Sequence, residues 1–313
     1  MLGYIIRRLL ATIPVMGIVA IVVFLLLRLT TGDPAAIIAG DNATSQDVEA
    51  VRSKLGLDRP IAEQFIIWIA KVAQGDFGES FFFKKPVAQL IAERIEPTLA
   101  LATCTLILAV SMAVPLGVVA AWKRGTWIDR FVMGLSVLGF SVPVFVIGYA
   151  FIYLFAIHLA WLPVQGYQRI AEGFGGFIER LTLPSFTLAV IYVALIARIT
   201  RASVLEVLNA DHVRTARAKG LGEVPVLIRH VLRNAAVPIV TIIGLGVALL
   251  IGGVVVTESV YAIPGLGRLT VDAVLARDYP TVQAVILVFS VVYVLINLVV
   301  DLTYTVLDPR IRY

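Results

Sequence analysis

Few residues in this chain are of a kind that performs chemistry, and their spacing argues against an enzyme. The three histidines, His158, His212 and His230, are scattered, and no His-Glu-x-x-His run exists to hold a metal. No Gly-Lys dipeptide occurs, so the phosphate-cradling loop that ATP hydrolysis needs is missing from the chain. Gly139-Phe-Ser-Val142 hints at an intramembrane serine nucleophile, but no glycine follows it and no histidine partner is evident. The one cysteine, Cys104, excludes an internal disulfide. Neither a cofactor nor a metal is expected.

What remains is polar groups set in apolar surroundings, where they cost free energy unless they face protein or water. Ser290, Tyr293, Asn297 and Asp301 recur at steps of three or four and so share one helical face. That stripe either lines a conduit or hydrogen-bonds a neighbouring helix. Gly244, Ala248 and Gly252, spaced by four, put small residues on one side of another apolar run. They allow close helix packing, within the chain or against a partner, or else leave room for a substrate. Glu258 and Asp301 fall near the ends of their runs, where each reads as interfacial and solvated.

The elements that must position these groups follow from composition. Hydrophobic residues make up 59% of 313 positions and charged residues 15%, with a mean hydropathy of +0.94. A soluble core of this size cannot hide that much apolar surface, so a bilayer must serve as solvent. A spanning helix needs roughly 20 apolar residues. Six stretches qualify: Leu9 to Leu29, Thr98 to Trp122, Phe131 to Ile157, Leu181 to Ala197, Asn234 to Thr257 and Tyr279 to Val300. None alternates in polarity as barrel strands do. The first run is too long for a signal-peptide core and is taken as a retained helix. Pro184 is expected near the start of the fourth span and Pro143 is expected to kink the third. The sequon Asn42-Ala43-Thr44 carries little weight.

Basic residues orient the spans. Arg7, Arg8, Lys123, Arg124, Arg130, the Arg198 to Arg233 segment, Arg310 and Arg312 fall on one side. The opposite short segments hold only Arg169, Arg180, Arg268 and Arg277. Both termini are therefore expected in the cytoplasm. The net charge of +5 reflects orientation, not nucleic-acid binding.

Three regions follow: residues 1–30, the tail and first spanning helix; residues 31–97, an external helical cap; and residues 98–313, a five-helix core. In the cap, Thr44 and Asp47 suit a helix through Leu55 ended by Gly56. Ile61, Phe65, Trp68, Ile69 and Val72 suit an amphipathic helix, and Val87 to Ile95 a further short one. The cap reads as scaffolding or as a docking surface.

Within residues 199–234 lies a polar, basic, helix-prone stretch broken at Gly220-Leu221-Gly222. Asp211 is expected to cap a helix over Val213 to Lys219, and Pro225 to open a second one through Asn234. This is either a connector or an element for another protein to grip. The stretch Val213-Arg-Thr-Ala-Arg-Ala-Lys-Gly-Leu221, with Arg229-His-Val-Leu-Arg-Asn234, resembles the coupling loop of ATP-binding cassette (ABC) importer permeases. It is most similar to that of the dipeptide, oligopeptide and nickel branch. The general pattern is Glu-Ala-Ala, three residues, Gly, nine residues, Ile-x-Leu-Pro. Ala216, Gly220 and Leu232 match it; Arg214 and Thr215 replace Glu-Ala, and His230 and Arg233 replace Ile and Pro, as in the peptide branch.

Tyr4-Ile-Ile-Arg-Arg8, Gly32-Asp-Pro-Ala35, Leu55-Gly-Leu-Asp-Arg-Pro60 and Gly75-Asp-Phe-Gly78 also resemble that branch. So do Pro86-Val87, Thr200-Arg-Ala-Ser203, Glu258-Ser-Val-Tyr261, Pro264-Gly-Leu-Gly267 and Asp308-Pro-Arg-Ile-Arg-Tyr313. The resemblance implies an all-α permease of the type I importer kind, paired with a second, similar permease. Two cytoplasmic ATPases and an external binding protein would complete the assembly. Asp211, Arg214, Thr215, Ala216, Arg217, Ala218, Lys219, Gly220, Leu221 and Leu232 would form the ATPase-coupling loop. The implied cargo is a short peptide or glutathione. A nickel chelate, a secondary transporter without ATP coupling, and a non-transporting scaffold or sensor stay open as alternatives.

Overall fold

The structure, a computed structural model, describes residues 2–29, 35–36, 43–54 and 56–307. Gly32-Asp-Pro34, Asn42, Leu55 and residues 308–313, with Arg310 and Arg312, lie outside the described residues. Regular structure among the described residues is helical, apart from one isolated bridge between Glu79 and Pro86. The helices are α1 (Leu2–Leu29), α2 (Ser45–Lys54), α3 (Ile61–Ala73), α4 (Val87–Trp122), α5 (Trp127–Ser141) and α6 (Val144–Phe151), which runs on as π-helical Ile152–His158. Then come α7 (Phe174–Leu208), α8 (Asp211–Ala218), α9 (Glu223–Pro225), which continues as π-helical Val226–Leu232, α10 (Ala236–Val260), α11 (Leu266–Leu275) and α12 (Tyr279–Leu307).

Among the described residues four helices, α4, α7, α10 and α12, are long and apolar enough to cross a membrane, and the bent pair α5–α6 brings the number to five. Three boundaries differ from the sequence expectation. The short helix over Val87 to Ile95 and the second span are one helix of 36 residues with Pro97 inside it. At about 1.5 Å per residue it is roughly 54 Å long, well beyond the ~30 Å hydrocarbon layer. Likewise α7 begins at Phe174, so Pro184 sits in its interior and not near its start. The third run is two helices bent by 104°. The residue before a proline avoids the helical region, and Val142 is extended (φ −92°, ψ 128°), so α5 ends there and Pro143 caps α6.

The chain divides into two compact units: residues 1–94 with 269–294, and residues 95–268 with 295–313. In the first, Phe24 of α1 meets Phe65 and Trp68 of α3, with ring centroids 5.2 and 5.5 Å apart. This is the stripe expected of the amphipathic helix. Asp278, immediately before α12, is fully buried and accepts from Ser80 Oγ, from the Phe81 N–H at 3.1 Å and from Thr281 Oγ1 at 2.7 Å. One carboxylate thus fixes the segment before α4 to the start of α12.

The second unit has two cores. Leu101, Leu181, Leu188, Tyr192, Ile196, Leu250 and Tyr261 belong to the larger. Its polar tie is Tyr261 Oη, 2.7 Å from Thr187 Oγ1 and donating to the Gly148 carbonyl at 3.2 Å. The smaller core joins Ala121, Val204, Val213, Ala216, Val226, Val231, Ala235 and Ile239. In the loop before α7, burial, and then the Glu96 carboxylate it donates to at 3.1 Å, push the Tyr167 phenol above its ordinary range.

Candidate functional site

The segment from α8 to α9 is built as a rooted, jointed pair of short helices. Val213 and Ala216, three apart, bury one face of α8, and Val226 and Val231 do the same for the second helix. All four pack with Ala121 at the end of α4 and Val204 at the end of α7. Ala216 and Leu232, which match the family pattern, therefore belong to the root of the segment: Ala216 is buried and Leu232 packs half-buried on the same cluster. Asp211, Arg214, Thr215, Arg217, Ala218 and Lys219 point outward.

The joint closes by backbone geometry. The Gly220 N–H donates to the Arg217 carbonyl at 2.9 Å and the Leu221 N–H to the Ala216 carbonyl at 3.3 Å. This is the Schellman arrangement, in which the residue after the cap takes the left-handed conformation. Gly220 has φ 81°, which only glycine adopts at no steric cost. Across the joint the Arg217 guanidinium donates to both Glu223 carboxylate oxygens, at 2.8 and 3.0 Å.

Two expectations for this segment need correcting. Asp211 does not cap α8: Ala210 occupies that position, and Asp211 is the first helical residue. There its charge still meets the positive helix end, while its side chain pairs with Arg214. Nor does Pro225 open the second helix, which starts two residues earlier at Glu223 behind Gly222. Pro225 is tolerated because the first four N–H groups of a helix have no intrahelical partner. Thr215 Oγ1 donates back to the Asp211 carbonyl at 2.9 Å.

Sequence reasoning named Leu221 but missed Val224 and Ile228, which complete an outer apolar face. Leu221, Val224 and Ile228 are 42%, 60% and 63% exposed. Val224 and Ile228 are four apart in an otherwise basic stretch, and that spacing was the available signal. Glu223, the partner of Arg217, was also missed.

The polar stripe falls on the single helix α12. Ser290 Oγ donates to the Ile286 carbonyl of its own helix at 2.8 Å. Tyr293 is 46% exposed, Asn297 is exposed and Asp301 half-buried. Of the small residues on α10, Gly244 faces α12 so closely that a Cβ there would lie 2.5 Å from Val300. Ala248 is half-buried, and Gly252 meets nothing within 4 Å in this chain. Gly246 and Gly253 supply the close approach to α7, where a Cβ would lie 3.5 Å from the Tyr192 ring and 3.0 Å from Leu188.

Glu258 is not solvated: it is fully buried. Its carboxylate accepts from Thr98 Oγ1 at 2.6 Å and from the Arg268 N–H at 2.9 Å. A cavity of about 580 Å³ lies among α4, α5, α6 and α7, lined by Leu116, Phe131, Leu135, Phe151, Val190 and Ala194 among others. Its lining is apolar but for Ser136, whose hydroxyl donates to the Val132 carbonyl.

Known proteins resemble this chain in sequence and in fold. Residues 113–313 match the family described as binding-protein-dependent transport system inner membrane component, and residues 1–102 match the N-terminal part of such components. Over 310 residues, 99% of both chains, the sequence is 54% identical to the probable peptide ABC transporter permease protein y4tP of Sinorhizobium fredii. It is 47% identical to the glutathione transport system permease protein GsiC of Escherichia coli K12 over the whole of both chains. In fold it resembles a chain of the inward-facing MetNI methionine ABC transporter, with a TM-score of 0.59 at 18% identity, covering 70% of this chain and 97% of that one.

Proposed function

The chain belongs to the binding-protein-dependent transport system inner membrane components and is a permease subunit of an ABC importer; from that premise we propose that it passes short peptides, glutathione among them, across the bacterial inner membrane. It is a multi-pass membrane protein. In our reading α1 is the sixth span and both termini face the cytoplasm, as the distribution of arginine and lysine requires. A second, homologous permease completes the pore, two ATPases bind beneath it, and an external binding protein delivers cargo. The cap of residues 31–97 and the five-helix core of residues 98–313 divide the labour between the outer face and the pathway.

One observation carries this reading: the jointed pair α8–α9 presents Leu221, Val224 and Ile228 outward while Val213, Ala216, Val226 and Val231 root it in the core. An apolar cluster displayed on a basic, water-facing segment fits a docking surface for a soluble protein, with Asp211, Arg214 and Lys219 as its charged rim. Movement of that partner would tilt the pair and reach α4 and α7 through the shared core. The exposed Tyr293 and Asn297, with Asp301, are our candidates for the pathway, and Gly252 for packing against the second permease.

The reading is tested in proteoliposomes holding the whole complex, fed by the binding protein loaded from a panel of labelled di- and tripeptides and glutathione. Uptake that requires ATP on the ATPase side supports it. Uptake driven by an ion gradient without ATP would overturn it.

A further inference from the structure

Asp129 lies near the start of α5 and is only 4% exposed. Arg201 of α7 donates to both of its oxygens, Nε to Oδ1 at 2.5 Å and Nη2 to Oδ2 at 2.8 Å. The Gly125 N–H, in the turn between α4 and α5, donates to Oδ2 at 3.0 Å. One carboxylate thus holds three elements. A planar guanidinium meeting a carboxylate in two parallel bonds fixes orientation as well as distance.

The place of this pair in the fold gives it a further meaning. Ten residues along α5, a Cβ at Gly139 would lie 3.0 Å from Val190, so α5 and α7 run antiparallel in contact from Asp129–Arg201 to the Val142–Pro143 break. Three residues beyond Arg201, Val204 enters the small core with Val213 and Ala216 of α8. The end of α7 that roots the coupling helices is therefore the end that Asp129 grips. At its far end α5 bends into α6 at the Val142–Pro143 break, and the two helices wall the apolar cavity.

We propose that Asp129 is a positioning residue for coupling: through Arg201 it makes α5, and with it α6, follow the end of α7 that carries the coupling helices. This rests on the reading of α8–α9 as the ATPase docking segment. Without the pair, that segment would still bind and release the ATPases. Its displacement would reach α7 but would be lost before α5, so ATP would be hydrolysed with little transport.

The experiment compares Asp129→Asn, Arg201→Lys and the exchange of the two residues in the complete complex in proteoliposomes, measuring ATP hydrolysis and cargo uptake together. Ordinary coupling between sites changes equilibria by about 5–150-fold, so Asp129→Asn is expected to lower uptake per ATP roughly tenfold with hydrolysis within about twofold. Arg201→Lys, which keeps the charge but not the fork, should fall between, and the exchange should recover part of the loss. Unchanged uptake per ATP in Asp129→Asn, or hydrolysis and uptake falling in parallel in Arg201→Lys, would overturn the proposal. Ile228→Asp separates the two readings. If it leaves ATP-driven uptake intact, the docking reading fails and takes the proposal with it; if it abolishes uptake while Asp129→Asn changes nothing, only the role of Asp129 falls.

Discussion

Thr98 and Glu258, 160 residues apart, share a buried hydrogen bond of 2.6 Å, and Thr98 Oγ1 accepts the Leu266 N–H at 2.7 Å in turn. Together with the Arg268 N–H on the other carboxylate oxygen, they tie the first turn of α11 to α4 and α10. Glu258→Ala removes the carboxylate that accepts from the Arg268 N–H and the Thr98 hydroxyl, at a cost of about 1–3 kcal/mol for each buried donor that loses this bond. Thermal unfolding in detergent should show a clear drop. Glu258→Gln keeps one acceptor and should lose less.

Gly265 of Pro264-Gly-Leu-Gly267 owes its identity to that carboxylate, and Gly267 first to the α10 backbone beside it. A Cβ at Gly265 would lie 2.1 Å from Glu258 Oε1, and one at Gly267 would lie 2.6 Å from the Val255 backbone. Gly265→Ala should therefore destabilise the chain. Gly252→Ala, in open space on a helix, should be neutral or stabilising by up to about 1 kcal/mol. If Gly252 packs against the second permease, that same change should lower recovery of the permease pair while the isolated chain keeps its melting temperature.

Gly220→Val tests the joint. No atom stands within 4 Å of the added Cβ, so the penalty is in the backbone alone, of order 1–3 kcal/mol for a branched residue held at positive φ. The expected outcome is ATP hydrolysis uncoupled from uptake, read in proteoliposomes. Normal ATP-dependent uptake would remove the joint from the mechanism.

The Arg217–Glu223 bridge is more than a third exposed on both sides, so removing it should cost no more than about 1 kcal/mol. Glu223→Gln is thus expected to leave the melting temperature nearly unchanged. Ile228→Asp, which places a charge on the outer apolar face, is expected to prevent co-purification of the ATPases.

Asp301→Ala should change uptake without hindering membrane insertion, because the residue sits near the end of α12 and is only half-buried. Equal uptake rates for the two proteins would return Asp301 to a solvated end position.

What the sequence disclosed, and what it hid, divides along a physical line. Run length and periodicity are local, and they found the apolar stretches, the Phe65–Trp68 stripe and the break at Gly220. Pro143 announced an interruption, but a proline states only that the helix must stop, and the 104° turn depends on what the next helix packs against. Pro97 does not separate two helices, because the turns on both sides of it belong to Val87–Trp122. The carboxylates of Glu258 and Asp129 were unreadable for another reason. Their partners Thr98 and Arg201 lie 160 and 72 residues away, and no pattern along the chain links them. Arg201 in particular passed for an orienting charge, whereas its guanidinium is matched by Asp129.

The left-handed turn at Gly220 has a stereochemical consequence. The conformation that strains an L-residue is the relaxed one for its mirror image, and the space beside that α-carbon is empty. A chain assembled by semisynthesis with D-alanine at this position should keep its transport, where the L-enantiomer impairs it. Handedness, not size, is what this position selects.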